Sequence, residues 1–193
     1  CNLADEIAYN AHDIDDGVRS GLITLAQLCE VPLFDQYRHA AQAAHPHLND
    51  AAMHRRLLFE AIRLMLSAQV YDVIDATSAA LAQAAPDSAD SVRQSEPLVM
   101  FSNAMREQST VLKHFLFKNL YRHPQVMETT GRAQQIVRDL FAAYVQTPQE
   151  MNPAFAQQAS TSDGMVKARA IADFIAGMTD RFAAREHERL TGQ

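Results

Sequence analysis

Cysteine is nearly absent. The 193 residues hold two, Cys1 and Cys29, with no Cys-x-x-Cys spacing, which excludes a disulfide scaffold and fits a reducing compartment, so a cytoplasmic protein is expected. Glycine is scarce at 6 residues, and no Val/Ile/Thr-rich alternating run bounded by turns occurs, which leaves little from which to build a sheet. No stretch of about 18 uninterrupted apolar residues exists, so no membrane-spanning helix is expected. Positive charge is also short. Seventeen Lys and Arg stand against 23 Asp and Glu, a formal net charge of −6, and such a surface repels phosphate backbones unless its cations are focused. Nucleic acid is therefore not expected as a substrate. The chain opens Cys1-Asn2-Leu3-Ala4-Asp5, without an initiator Met, a basic stretch or the apolar core of a signal peptide. A portion of something longer is expected.

What is present is helical patterning. With 48% hydrophobic residues, abundant Ala and Leu, and apolar positions recurring at three and four, the fold class is all-α, with several helices around one long spine. Leu3, Ile7, Ile14 and Val18 predict a first helix over 2–20, with Gly21 as its left-handed stop. Thr24 and Gln27 have capping-box spacing for a short second helix, and a third follows over 33–44. His45-Pro46-His47 is a break. Asn49 and Asp50 are candidate N-caps of the spine, 51–83, whose stripe is Leu57, Leu58, Ala61, Ile62, Met65, Val70, Val73, Ile74, Thr77 and Leu81. A helix of that length measures about 45–50 Å, and it is expected to pack on missing parts or another subunit, in a homo-oligomer. Residues 85–97 read as a polar linker. A helix then runs from Ser102 or Asn103 to Arg122, the His123-Pro124 step breaks it, another helix ends near Gln146, 147–164 reads as loop, and a last helix spans 165–190.

Candidate chemistry gathers on the first helix. Asp5, Tyr9 and Asp13 stand at i, i+4 and i+8, on one face within about 12 Å of rise. A carboxylate there can hold a divalent metal, a ring can cover a flat sugar, and a second carboxylate can accept hydrogen bonds from hydroxyls. The same residues also read as capping spacing from Asn2, a solvated acidic face with Asp15 and Asp16, and a core Tyr9. His12-Asp13 lacks a second His at i+4, and His45 with His47 falls in a break, so neither pair reads as a metal site. Arg55, Arg56 and Arg63 on the spine either neutralise phosphates or are surface charges. No nucleophile elbow, Gly-rich phosphate loop or His-Glu-x-x-His helix is present, and no catalytic side chain is assigned in this chain.

The run Leu3-Ala4-Asp5-Glu6-Ile7-Ala8-Tyr9-Asn10-Ala11-His12-Asp13-Ile14-Asp15-Asp16-Gly17 resembles the deoxyguanosinetriphosphate triphosphohydrolase-like proteins, a branch of the HD-domain phosphohydrolases. His54-Arg55-Arg56-Leu57, Gln69-Val70-Tyr71-Asp72-Val73-Ile74, the run from Leu112 to Pro124 and that from Asp173 to Phe182 resemble later segments of the same family. The resemblance implies an HD-domain-like fragment in which 1–48 are the closing helices of the metal-site domain and 49–193 are the phosphohydrolase-associated region. It places Asp5 as one ligand of a divalent metal ion (Mg, Mn or similar), the others lying in a missing N-terminal HD segment. Tyr9 then packs on the deoxyribose and Asp13 hydrogen-bonds its 3′-hydroxyl. The implied reaction is hydrolysis of a deoxynucleoside triphosphate to deoxynucleoside and triphosphate, with the isolated fragment inactive. Phe174 stands where the family commonly has Tyr, which removes a hydroxyl and keeps a packing role. The alternative is a noncatalytic helical oligomerisation or interaction module.

Overall fold

The computed structural model describes residues 2–49 and 53–192, and every regular element among them is helical. The helices are α1 (Asn2–Arg19), α2 (Leu25–Leu28), α3 (Pro32–Ala44), α4 (His54–Ala84), α5 (Ala89–Gln94), α6 (Asn103–Leu116), α7 (Pro124–Gln146), α8 (Pro153–Ser160), α9 (Gly164–Ala176) and α10 (Asp180–Thr191). A single π-type turn, Phe117–Tyr121, extends α6. The chain divides into two compact units, Cys1–His123 and Pro124–Gln193.

In the first unit, Ile14, Leu28, Leu33, Phe34, Leu58, Met65, Leu112 and Leu116 form one buried cluster drawn from α1, α2, α3, α4 and α6. Gly21 takes the left-handed conformation expected of it, φ 76°, and lets the chain turn back so that Ile23 packs on α1. Gly17 makes this approach close: a Cβ there would lie 2.7 Å from the Ile23 Cδ1. Thr24 and Gln27 form the predicted capping box. The expected caps Asn49 and Asp50 and the expected start of the spine at Ala51 involve positions outside the described residues or side chains. Further on, the Ser102 backbone N–H and hydroxyl both donate to the Asp72 carboxylate, at 2.8 and 2.6 Å. The same hydroxyl accepts from the Met105 N–H. This pair of bonds returns the chain to α4 and fixes where α6 begins.

In the second unit, Leu140, Tyr144, Met151, Ala159, Ala170, Ile171 and Ile175 form a smaller core. Phe174 packs its ring against Tyr144 and Phe155, with centroids 5.3 Å away in both cases. The Tyr144 hydroxyl donates to Glu186 at 3.1 Å. Arg189 joins that carboxylate to Glu150, and His187 meets Asp139 at 2.9 Å. Burial, then the Glu186 hydrogen bond, push the Tyr144 phenol up to about 12.

Several elements differ from expectation. The linker 85–97 contains α5, nucleated by a reciprocal Ser88–Ser91 capping box. The loop 147–164 contains α8, because Asn152 caps it and Pro153 sits in the first turn, where its missing N–H costs nothing. The expected last helix is two, α9 and α10, separated at Gly177 and restarted by Thr179, whose side chain accepts from the Phe182 N–H. On α4, Leu57, Leu58, Ala61 and Met65 are buried, but Val70, Ile74 and Leu81 are exposed. The apolar stripe outlasts the packing that covers its first half.

Candidate functional site

Helix α1 turns Ile7, Ala11 and Ile14 inward and presents the opposite side to solvent. Tyr9 is therefore not core: 67% of it is exposed. Beside it, Asn10 is buried to 7% exposure, and its Nδ2 has no hydrogen-bond partner among the described residues. An unsatisfied buried donor costs about 1–3 kcal/mol, so its persistence at this position asks for an acceptor.

The opposing wall comes from α6 and its extension. Lys113, Phe117 and Tyr121 recur every four residues. Lys113 bonds to Glu6 at 3.0 Å, and the Tyr121 hydroxyl donates to Asp13 Oδ2. Both partner numbers rise together, so α1 and α6 run parallel, tied at two points. On α1 those points are a heptad apart, which keeps one face. On α6 they are eight residues apart, and eight residues of regular helix overshoot two turns by about 80°. The π-type turn, with the Arg122 N–H donating to the Phe117 carbonyl at 3.0 Å, takes more residues per revolution and removes most of that drift. Tyr121 thereby reaches α1. Between the two ties lies a cleft of about 490 Å³ lined by Tyr9, Asn10, Asp13, Lys113 and Phe117 among others. The bond to Asp13, with burial adding to it, pushes the Tyr121 phenol up to about 12. Tyr121 thus remains a donor at any neutral pH.

Of the three sequence candidates, Tyr9 and Asp13 line this cleft. Asp5 lies one turn before Tyr9, exposed, without a hydrogen-bond or ion-pair partner among the described residues. Among those residues no group of three or more His, Cys, Asp or Glu is placed to hold a metal ion. One exposed carboxylate is a single ligand where divalent ions take four or more, so the described residues do not by themselves fit such an ion. Sequence reasoning missed Glu6, Asn10, Lys113 and Tyr121 as cleft residues. Its available signal was the four-residue recurrence of Lys113, Phe117 and Tyr121.

Residues 99–189, which include the α6 wall of this cleft, match the phosphohydrolase-associated domain family. Curated relatives name the group more closely. The chain is 49% identical over 98% of its length to a deoxyguanosinetriphosphate triphosphohydrolase-like protein of Ralstonia nicotianae, covering 47% of that protein. It is 48% identical to the one from Bordetella pertussis, again over 98% of the chain and 47% of the relative, and 45% identical to the one from Azoarcus sp., covering 48%. Over nearly its whole length the chain is homologous to the deoxyguanosinetriphosphate triphosphohydrolase-like proteins, and it spans about half the length of these curated relatives.

Proposed function

We propose that this chain forms part of a dNTP triphosphohydrolase that cleaves a deoxynucleoside triphosphate, dGTP or a close analogue, into deoxynucleoside and triphosphate. The observation that carries the reading is the cleft between α1 and α6. There an exposed aromatic ring, Tyr9, stands one turn from a carboxylate, Asp13, that has one oxygen, Oδ2, bonded and the other open among the described residues. A ring offers a face to a sugar, and a carboxylate oxygen accepts from a sugar hydroxyl. Tyr9 and Asp13 bind and orient the deoxyribose. Asp5, exposed on the same helix, supplies one carboxylate to a divalent cation whose other ligands come from outside the described residues. In this reading 1–48 close the metal-site domain and 49–193 are the associated helical region. The 193 residues alone do not turn over nucleotide, and the enzyme works in the cytoplasm, where deoxynucleotides are made and used.

The test is a product assay on the intact protein with each dNTP and a divalent ion, reading triphosphate release. Asp13→Asn and Asp5→Ala each lower kcat/KM by at least about tenfold, the scale of one lost charge-assisted contact. Orthophosphate or pyrophosphate as the product, or no hydrolysis, would overturn the reading.

A second reading has its own observation. Val70, Tyr71, Ile74 and Leu81 expose apolar surface on the second half of α4, as a helical interaction module or homo-oligomer would. If Asp5→Ala leaves dNTP hydrolysis intact while Ile74→Asp dissolves an oligomer, the module reading takes precedence.

A further inference from the structure

Asp13 carries more than one relationship at this cleft. Its Oδ2 accepts from Tyr121, a residue 108 positions away, while Oδ1 has no partner within the protein among the described residues. A carboxylate on a short side chain turns about its terminal torsion in a broad, shallow well. A hydrogen bond to one oxygen removes that freedom and leaves the other oxygen in a fixed direction. The donor is itself well held. Tyr121 stands at the end of the π-type turn, and Leu120 beside it is buried in the core cluster. Wide turns of this kind recur at functional sites because they re-aim side chains without ending the helix. Phe117, one step back along the same face, is half exposed and forms the cleft wall between the two ties.

We propose that Tyr121 is a positioning residue: it holds the Asp13 carboxylate so that the free oxygen faces the cleft to accept a hydrogen bond from the substrate's sugar hydroxyl. The proposal rests on the triphosphohydrolase reading and deepens it, since it says which protein group makes Asp13 selective. Tyr121 does not touch the reacting phosphate. Its contribution enters through the hydroxyl that Asp13 recognises and disappears when the substrate lacks that hydroxyl. The tie at the other end, Lys113 with Glu6, joins the same two helices without touching Asp13, and it supplies the control for a merely structural effect.

The experiment compares wild type, Tyr121→Phe, Asp13→Asn and Lys113→Met in the intact protein, with dGTP and 2′,3′-dideoxy-GTP as substrates. Calorimetric Kd values for deoxyguanosine and 2′,3′-dideoxyguanosine give a readout that needs no turnover. Tyr121→Phe is expected to raise KM for dGTP and Kd for deoxyguanosine by about five- to tenfold, the size of one hydrogen bond to a charged group or somewhat less. It should leave kcat within about twofold and have no effect on either dideoxy compound. Lys113→Met should shift the deoxy and dideoxy compounds alike. If Tyr121→Phe penalises both compounds equally, or neither, the positioning role is wrong. If wild type fails to hydrolyse dGTP, or Asp13→Asn does not change the preference for deoxy over dideoxy compounds, the underlying reading fails and takes the proposal with it.

Discussion

The two compact units differ in the buried polar groups they leave open. Four buried side-chain atoms among the described residues lack a hydrogen-bond partner, Asn10 Nδ2, Gln69 Oε1, Thr77 Oγ1 and Ser109 Oγ, and all four lie in the first unit. The second unit spends its polar groups on itself: Tyr144 on Glu186, Glu186 and Glu150 on Arg189, Asp139 on His187. A region that satisfies its own donors and acceptors is built for stability, whereas in the first unit Asn10 leaves a donor open at the cleft, with recognition left to perform. The first unit can tolerate this because its apolar cluster is larger, twelve buried residues against seven.

The strongest way to break the contrast is to attack the smaller core. Ile171→Ala empties a fully buried site and should cost about 2–5 kcal/mol. The urea midpoint should fall and hydrogen exchange should quicken across 124–192; an unchanged midpoint would mean that the second unit does not depend on this core.

Acid tests the second unit's own pairs next, their counterpart in the first unit being Glu60, held low by the hydrogen bond from Arg63. Hydrogen bonds from His187 and Gln135 hold the Asp139 carboxyl below its ordinary range, and the Arg189 bond does the same for Glu186. A carboxyl lowered by folding contributes stability above its unfolded pKa, near 4, and loses it as pH falls through the folded value. Melting should therefore drop between about pH 5 and pH 3, and His187→Gln should flatten that limb. An acid limb equally steep in the variant would detach it from Asp139.

The smallest effect sharpens the comparison most. Asn10→Ala removes a buried donor that has no partner among the described residues, so relief of its penalty of about 1–3 kcal/mol offsets the packing lost and stability should not fall by more than about 0.5 kcal/mol, whereas Tyr144→Phe removes a satisfied hydroxyl and should cost about 1 kcal/mol. Thermal melts of the pair decide it. A larger loss from Asn10→Ala would show that its amide is satisfied after all.

What the sequence made legible was local. The first helix, the Gly21 stop, the Thr24–Gln27 box and the break at His123-Pro124 depend on residues within a turn of one another, and each is present. The loop expected over 147–164 holds α8 because proline, a breaker inside a helix, is also at home in a helix's first turn. The stripe on α4 misled for a different reason: periodicity reports which residues share a face, not how far along the helix that face is covered. Asp5, Tyr9 and Asp13 share a helix face, so their alignment could be read directly. Lys113 and Tyr121 show a four-residue recurrence, but it does not say which helix they meet, since ties of 107 and 108 residues leave no local trace of their partners, and a strict 3.6-residue period turns Tyr121 about 80° away from Lys113.

The wide turn at Phe117–Tyr121 makes chain length itself a variable at the cleft. A regular helix would use about one residue fewer for that revolution, and a neighbour of Tyr121 would then arrive opposite Asp13. Leu112 and Leu116, upstream of the turn, would stay in place in the core. Leu120, buried in the core from within the same turn, would be displaced with Tyr121, so the width of this turn and the partner of Asp13 are held together by one buried leucine.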